Sequence, residues 1–397
     1  MKNERFVADE CSARRSGEDT RLPLAGVVVV EFGHSVAGPF AGQVLSDLGA
    51  EVVKIEKPEG DDARRWGPPF LDGVAATFQA LNRNKRSVSA NLRDPAVVDA
   101  LRRYIVDEVD VVVQNLRPGQ ADELGLGAAE LVAAKPSLVY CNIGAFGARG
   151  PLADRPGYDP LMQAFGGIMS VVGEPGRPAV RVGPSIIDSG TAMWGVLGIV
   201  SALLRRRDTG RGGVVDVSLF ETSAAWMTVY AAQFAGGGAL PAKSGSGQLG
   251  IVPYRAYATS DGELVVAAGN DPTFAKLGEA LGYPEWGSSP EFAGNAQRVA
   301  NAERLYGLIE AAMRTRSTAD WVAVFEARGI PCAPVQDVQQ MLDHPQTQAL
   351  GIYQPVPGSS VPLMGLPISF DGERPVPRSA APALGADNAR ILDRVRS

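Results

Sequence analysis

Histidine is almost missing from this 397-residue chain, which holds only His34 and His344. That excludes a site built on several imidazole ligands and leaves few ways to assemble a histidine-based acid–base pair. Cysteine is scarce too. Cys11, Cys141 and Cys332 are odd in number and far apart, so neither a disulfide framework nor a thiolate zinc site fits them. The longest apolar run, residues 192–204, falls short of the roughly 20 residues that span a bilayer. The net charge is −6, so no basic face for nucleic acid is implied. Residues 1–21 are polar and charged and lack the apolar core of a signal peptide, which reads as a mobile leader with order beginning near Leu22. A cytoplasmic enzyme without membrane or nucleic-acid partners is the expectation. The dinucleotide fingerprint G-x-G-x-x-G is absent after the first strand, where "FGHSVAG" stands, and so is a G-x-x-x-x-G-K-[ST] phosphate loop. A standard NAD or ATP site is therefore disfavoured; an adenine nucleotide held in another way is not.

What is present alternates. "GVVVVEF" (26–32), "EVVKIE" (51–56), "SVSANL" (87–92), "VDVVVQN" (109–115) and "SLVYCNI" (137–143) read as buried strands rich in β-branched residues. Between them lie helical stretches: one with Pro39 at its first position running to Leu48, one over 94–108 with Asp94 as cap, and a short one over 128–134. Strands alternating with helices imply an α/β fold with a Rossmann-like, mostly parallel sheet covered on both faces. A buried helix is expected over 189–206, then a short strand and long helix over 214–234. Residues 236–250 are rich in Gly and Ser and read as a flexible loop. A hairpin turning at Asp261-Gly262 follows, with helices near 272–281, 297–315 and 318–328. The implied organisation is a large domain over 22–224 and 331–397 and a smaller α+β domain over 225–330.

Ligands of open α/β sheets bind beyond the C-terminal strand ends. The loops there, "GHSVAGP" (33–39), "KPEGDDARRWGPP" (57–69), "NLRPG" (115–119) and "GAFGARGPLADRPGYD" (144–159), are rich in Gly, Pro, Arg or Asn. Four such loops at consecutive strand ends favour an anionic ligand over plain turn chemistry. Asp188, in "GPSIIDSGTAMWGVLG" (183–198), is the one charged residue of its stretch. A carboxylate beside apolar residues is costly unless capped, paired or used. By residue type alone Asp188 reads as the N-cap of a helix beginning at Ser189. An ionised carboxylate is also an allowed covalent nucleophile that needs no histidine base, and a helix start would support its charge.

These segments carry a resemblance. Residues 24–67, "NRNKRSVSANL" (82–92), "VDVVVQNLRPG" (109–119), residues 150–223 and "GIPCAPV" (329–335) resemble, in order, the blocks of the class III CoA-transferases, the formyl-CoA and carnitine CoA-transferase family. The resemblance implies transfer of coenzyme A from an acyl-CoA thioester to a free carboxylic acid through an aspartyl-CoA thioester. It implies no metal and no resident cofactor, since CoA is substrate, and it implies an interlocked homodimer. Asp188 in "IIDSG" matches the nucleophilic aspartate. His34, Val36, Ala37 and Gly38 match a loop of the CoA cleft. Lys57 and Arg93 match phosphate-contacting positions, and Asn115 and Leu116 match an Asn–aromatic pair, with Leu116 removing the aromatic ring. Glu123 stands where some members carry arginine, for which Arg117 compensates. Tyr158 and Asp159 of "PGYD" match positions beside the thioester. Trp66 matches a wall of the acyl pocket, and Gly247, Gln248 and Gly250 resemble a mobile glycine loop. The related α-methylacyl-CoA racemases place a histidine base where Tyr158 stands; tyrosine, with an ordinary pKa near 10, is a poor base at neutral pH. A 2-methylacyl-CoA racemase and a non-catalytic acyl-CoA-binding protein stay open as alternatives. Val36 replaces the glutamine of formyl-CoA transferases, which favours a larger or less polar acid than formate or oxalate.

Overall fold

A computed structural model describes residues 22–248 and 250–393; the expected leader lies outside them. The chain divides into two compact units. The first holds residues up to Gly167, Val182–Val229 and the chain from Gln348 on; the second holds Ile168–Arg181 and Tyr230–Thr347. The second unit thus differs from the expected 225–330: it takes in a segment preceding the Asp188 helix and continues to Thr347, so the return to the first unit comes later than residue 331.

The first unit is built on six parallel strands: β1 (Val28–Phe32), β2 (Glu51–Glu56), β3 (Arg86–Ser89), β4 (Val111–Gln114), β5 (Val139–Gly144) and β6 (Gly213–Ser218). Their order is β3-β2-β1-β4-β5-β6 with every pairing parallel, the doubly wound arrangement. The apolar runs account for this. Val29, Val30, Val52, Val53 and Val111–Val113 are all fully buried, as strands covered on both faces require. Helix α1 (Ala37–Asp47) begins two residues before Pro39, still within the first turn where proline's missing N–H is harmless. Helix α2 (Pro95–Glu108) starts as its sequence indicates, with Asp94 Oδ1 accepting the Ala96 N–H. The outer edge of β3 is covered by the returning chain: Asp387 accepts the Ser87 N–H, and Asn388 bonds both ways with the Ser89 backbone. This occupies the unpaired groups that would otherwise template further strand pairing.

The short α3 (Asp159–Phe165) and the long α4 (Ile186–Thr209) lead toward β6, and α5 (Leu219–Trp226) follows it. Helix α4 is long and apolar enough to cross a membrane by length and composition alone, but half of its apolar window is buried within the protein. The expected long helix after β6 is instead two, with a break at Met227.

The second unit carries an antiparallel sheet of β7 (Tyr254–Ala258), β8 (Glu263–Ala267) and β9 (Cys332–Pro334), with β8 central. Its core is aromatic: Trp286 stacks on Tyr283 at 4.5 Å and on Phe274 at 6.0 Å. The expected helix over 297–315 is two, Asn295–Ala300 and Ala302–Met313.

Candidate active site

The strand order reverses between β1 and β4, and the crevice at such a point is where doubly wound sheets bind ligands. Here the loops after β1, β4, β5 and β6 wall a cleft of about 450 Å³. Asp188 lines it, half-buried, beside Tyr158 and the loop of Gly144, Ala145 and Gly147.

Asp188 is not a helix cap. Helix α4 begins at Ile186, so Asp188 is its third residue rather than the residue before it. The cap comes from a different element. Oδ2 of Asp159, at the start of α3, accepts the N–H groups of Ile187 (2.7 Å) and Asp188 (3.1 Å), while its other oxygen accepts from Gln163 (2.5 Å). Gln163 in turn accepts the Val182 N–H. With those helix donors taken, no described residue donates a hydrogen bond to the Asp188 carboxylate. Burial, and secondarily the Asp159 charge, push its pKa up to about 7. A basic, underbonded carboxylate at a cleft wall has the reactivity a nucleophile needs. The backbone behind it is packed through Gly190, where a Cβ would stand 2.9 Å from the Trp226 ring of α5.

Of the residues assigned to CoA, His34, Val36, Ala37, Asn115, Leu116, Arg117 and Tyr158 line this same cleft. The His34 and Asn115 loops are stitched together: the Asn115 side chain accepts the His34 N–H at 2.9 Å and donates to the His34 carbonyl at 3.0 Å. His34 keeps more than a third of its surface open, yet the surrounding walls desolvate its ring and lower its pKa, with Asp61 opposing. Tyr158 is 61% exposed and projects into the cleft from the residue preceding α3.

The other assignments are placed differently. Asp159 is buried and serves as the helix cap, not as a wall of the cleft. Gly38 lies beneath the Asn115 side chain, where a Cβ would meet its oxygen at 3.0 Å; its role is close packing. Lys57 stands at the surface paired with Asp62 at 2.9 Å, outside the cleft. Arg93 lines a separate hollow with Arg102 and Glu123. Arg117 reaches the cleft but pairs with Glu123 at 2.6 Å, so the two offset each other. Trp66, 46% exposed, is not among the cleft's lining residues. Gly247, Gln248 and Gly250 belong to the second unit, where Gly247 closes a turn onto the Ser244 carbonyl and Gln248 bonds the Tyr254 carbonyl through its N–H.

Sequence reasoning missed the cleft floor. Gln114, Asn142 and Asp216 occupy register-paired positions on β4, β5 and β6. Their side chains form a ladder: Gln114 donates to Asn142 at 2.7 Å, Asn142 donates to Asp216 at 2.7 Å, and the Leu116 N–H donates back to Gln114 at 2.8 Å. The signal was available, since each is a polar residue that follows a run of buried-strand residues ("VVVQ", "VYCN", "VVD").

The switch-point cleft of this doubly wound sheet thus holds an uncapped, basic aspartate, and the comparisons with known proteins give the family. The model of CoA-transferase family III matches residues 24–388. The chain belongs to CoA-transferase family III. Among its curated relatives are a succinyl-CoA:glutarate CoA-transferase of Mus musculus, 33% identical over 95% of this chain and 87% of that protein, and a succinyl-CoA–D-citramalate CoA-transferase of Chloroflexus aurantiacus, 36% identical over 93% of each. A solved CAIB/BAIF family protein from Brucella suis superimposes with a TM-score of 0.85 at 38% identity, covering 94% of this chain and 99% of the other. This family III chain is accordingly an enzyme of the transferase class that acts on CoA thioesters.

Proposed function

We propose that the cleft holds the acyl-CoA thioester and that Asp188 is the nucleophile. An Asp188 oxygen adds to the thioester carbonyl carbon, the C–S bond breaks, and the CoA thiolate leaves a mixed anhydride on Asp188. The thiolate then attacks the Asp188 carbonyl carbon, expelling the donor acid as a carboxylate and leaving an aspartyl-CoA thioester. An acceptor carboxylate repeats both steps in reverse, so CoA is transferred and the Asp188 carboxylate restored with no net proton change. The observation that carries this reading is the pairing of Asp159 with the helix amides, which leaves Asp188 unbonded, basic and open to the cleft. The ionised fraction of Asp188 is the reactive one, and its raised basicity strengthens it as a nucleophile.

The acceptors in this reading are small aliphatic carboxylic acids, with dicarboxylates the first class to try; the names of the relatives support that choice. A matrix of acyl-CoA donors against acids, followed by mass spectrometry, tests it, and absence of transfer for every pair would overturn it. The working unit in this reading is a homodimer. An apolar stripe on α4 supports it: Met193, Trp194, Leu197 and Leu204 are 56%, 41%, 56% and 62% exposed, a pattern more usual at interfaces than on monomers. Sedimentation equilibrium showing only monomer at micromolar concentration would refute the dimer.

A further inference from the structure

Beneath the His34 loop lies an ionic cluster that no step above uses. Glu31, one residue before the end of β1, and Lys54, on β2, are both fully buried, and Lys85 and Asp61 nearly so. The Lys54 ammonium meets Glu31 at 3.0 Å, Asp61 at 3.0 Å and the Gly33 carbonyl at 2.5 Å. Lys85 closes on the other Glu31 oxygen at 2.7 Å. Two acids and two bases balance, as buried charges must. Space for the Glu31 carboxylate is made by Gly33 and Gly42; a Cβ at Gly33 would stand 2.8 Å from it, and one at Gly42 would overlap it. Burial disfavours the Lys54 charge, but Glu31 and Asp61 outweigh that and hold its pKa above the ordinary value.

The cluster grips the loop from two sides. Lys54 takes the Gly33 carbonyl, and Asp61, itself paired with Lys54, accepts the Ser35 N–H at 3.3 Å. Between these grips Ser35 has φ of +66°, a left-handed conformation unfavourable for a residue with a Cβ. Such a conformation persists only where surrounding contacts over-determine it. Asp61 is anchored in turn, its N–H held by Glu56, which pairs with Arg64 at 2.7 Å.

We propose that Lys54 is a positioning residue for CoA: with Asp61 it holds the 33–36 loop in the strained shape that presents His34, Ser35 and Val36 to the cleft. This rests on the reading of that cleft as the CoA site. In a preset loop, binding energy is not spent on ordering it. Lys54 itself never touches the ligand.

The test is steady-state kinetics and calorimetric CoA binding on the full chain. Lys54→Met is expected to raise KM for acyl-CoA and Kd for CoA about tenfold, the equivalent of one lost charge-assisted hydrogen bond. kcat should stay within about threefold, because Asp188 sits on another element. Adding Ser35→Gly should recover about threefold of the lost affinity, since glycine accepts the left-handed shape without penalty. If Lys54→Met does not fold, Asp61→Ala serves instead, with a smaller loss of affinity and the same rescue. Unchanged KM with kcat reduced by the fraction of inactive protein, or no rescue by glycine, overturns the proposal. The obstructing variant Ala148→Trp separates the two claims, because Ala148 lines the cleft but not the cluster. If it leaves CoA binding intact, the reading of the cleft has failed; if it blocks binding while Lys54→Met does not weaken it, only the positioning role has failed.

Discussion

Asp188→Asn should make the protein more stable in alkaline solution while removing its activity. Asp188 carries a pKa raised from 3.8 to about 7 in the folded chain. Between those values the native state holds more protons than the unfolded state, so stability falls as pH rises through that window and the full penalty is present above pH 7. About three pKa units correspond to about 4 kcal/mol at most. Residual solvent access to a half-buried group reduces this by roughly half, and the favourable position of an anion in the first turn of α4 offsets up to about 1 kcal/mol more. Asparagine, of the same shape, removes what is left, so a gain of about 1–2 kcal/mol is expected at pH 8 and almost none at pH 4. The assay is paired thermal unfolding of parent and variant at several pH values, where each kcal/mol moves the midpoint by about 2 °C in a unit of this size. A gain that is the same at pH 4 and pH 8, or a variant less stable than the parent at pH 8, would refute the reasoning.

The like charge on Asp159 is the second cause of that raised pKa, so Asp159→Asn, which can still accept the helix amides, should shift the acid limb of the kcat/KM profile to lower pH; an unmoved limb would show that the charge is not felt. Lys57→Ala should leave KM for acyl-CoA unchanged within about twofold, because Lys57 pairs with Asp62 at the surface; a large increase would return it to the phosphate site. Gly42→Ala should destabilise the first unit by about 3 kcal/mol or more, since its methyl overlaps the buried Glu31 carboxylate, and urea unfolding reads this directly.

The fold was legible where composition is blunt. "GVVVVEF" and "VDVVVQN" are strands because valine runs fill a sheet buried on both faces, and Asp94-Pro95 starts a helix because cap and first residue are adjacent in sequence. Asp188 shows the limit. Its role as cap was excluded by Asp159, a residue distant in sequence whose placement depends on the packing of α3 against α4, and no local pattern encodes that. Lys57 and Lys54 make the same point from the other side. Lys57 sits in a polar loop and attracts a phosphate assignment, whereas Lys54 lies inside "EVVKIE" and Glu31 inside "VVVVEF". A charge in the middle of a doubly covered strand was the available sign of a buried pair, and Gly33 and Gly42 were the sign of the room made for it.

The central claim is that Asp188 becomes covalently bonded during turnover. Incubation with acyl-CoA and hydroxylamine, followed by digestion and tandem mass spectrometry, should place a hydroxamate on Asp188, only when acyl-CoA is present and not in Asp188→Ala, which should still bind CoA. Transfer continuing in Asp188→Ala, or a hydroxamate on another carboxylate, would contradict the account.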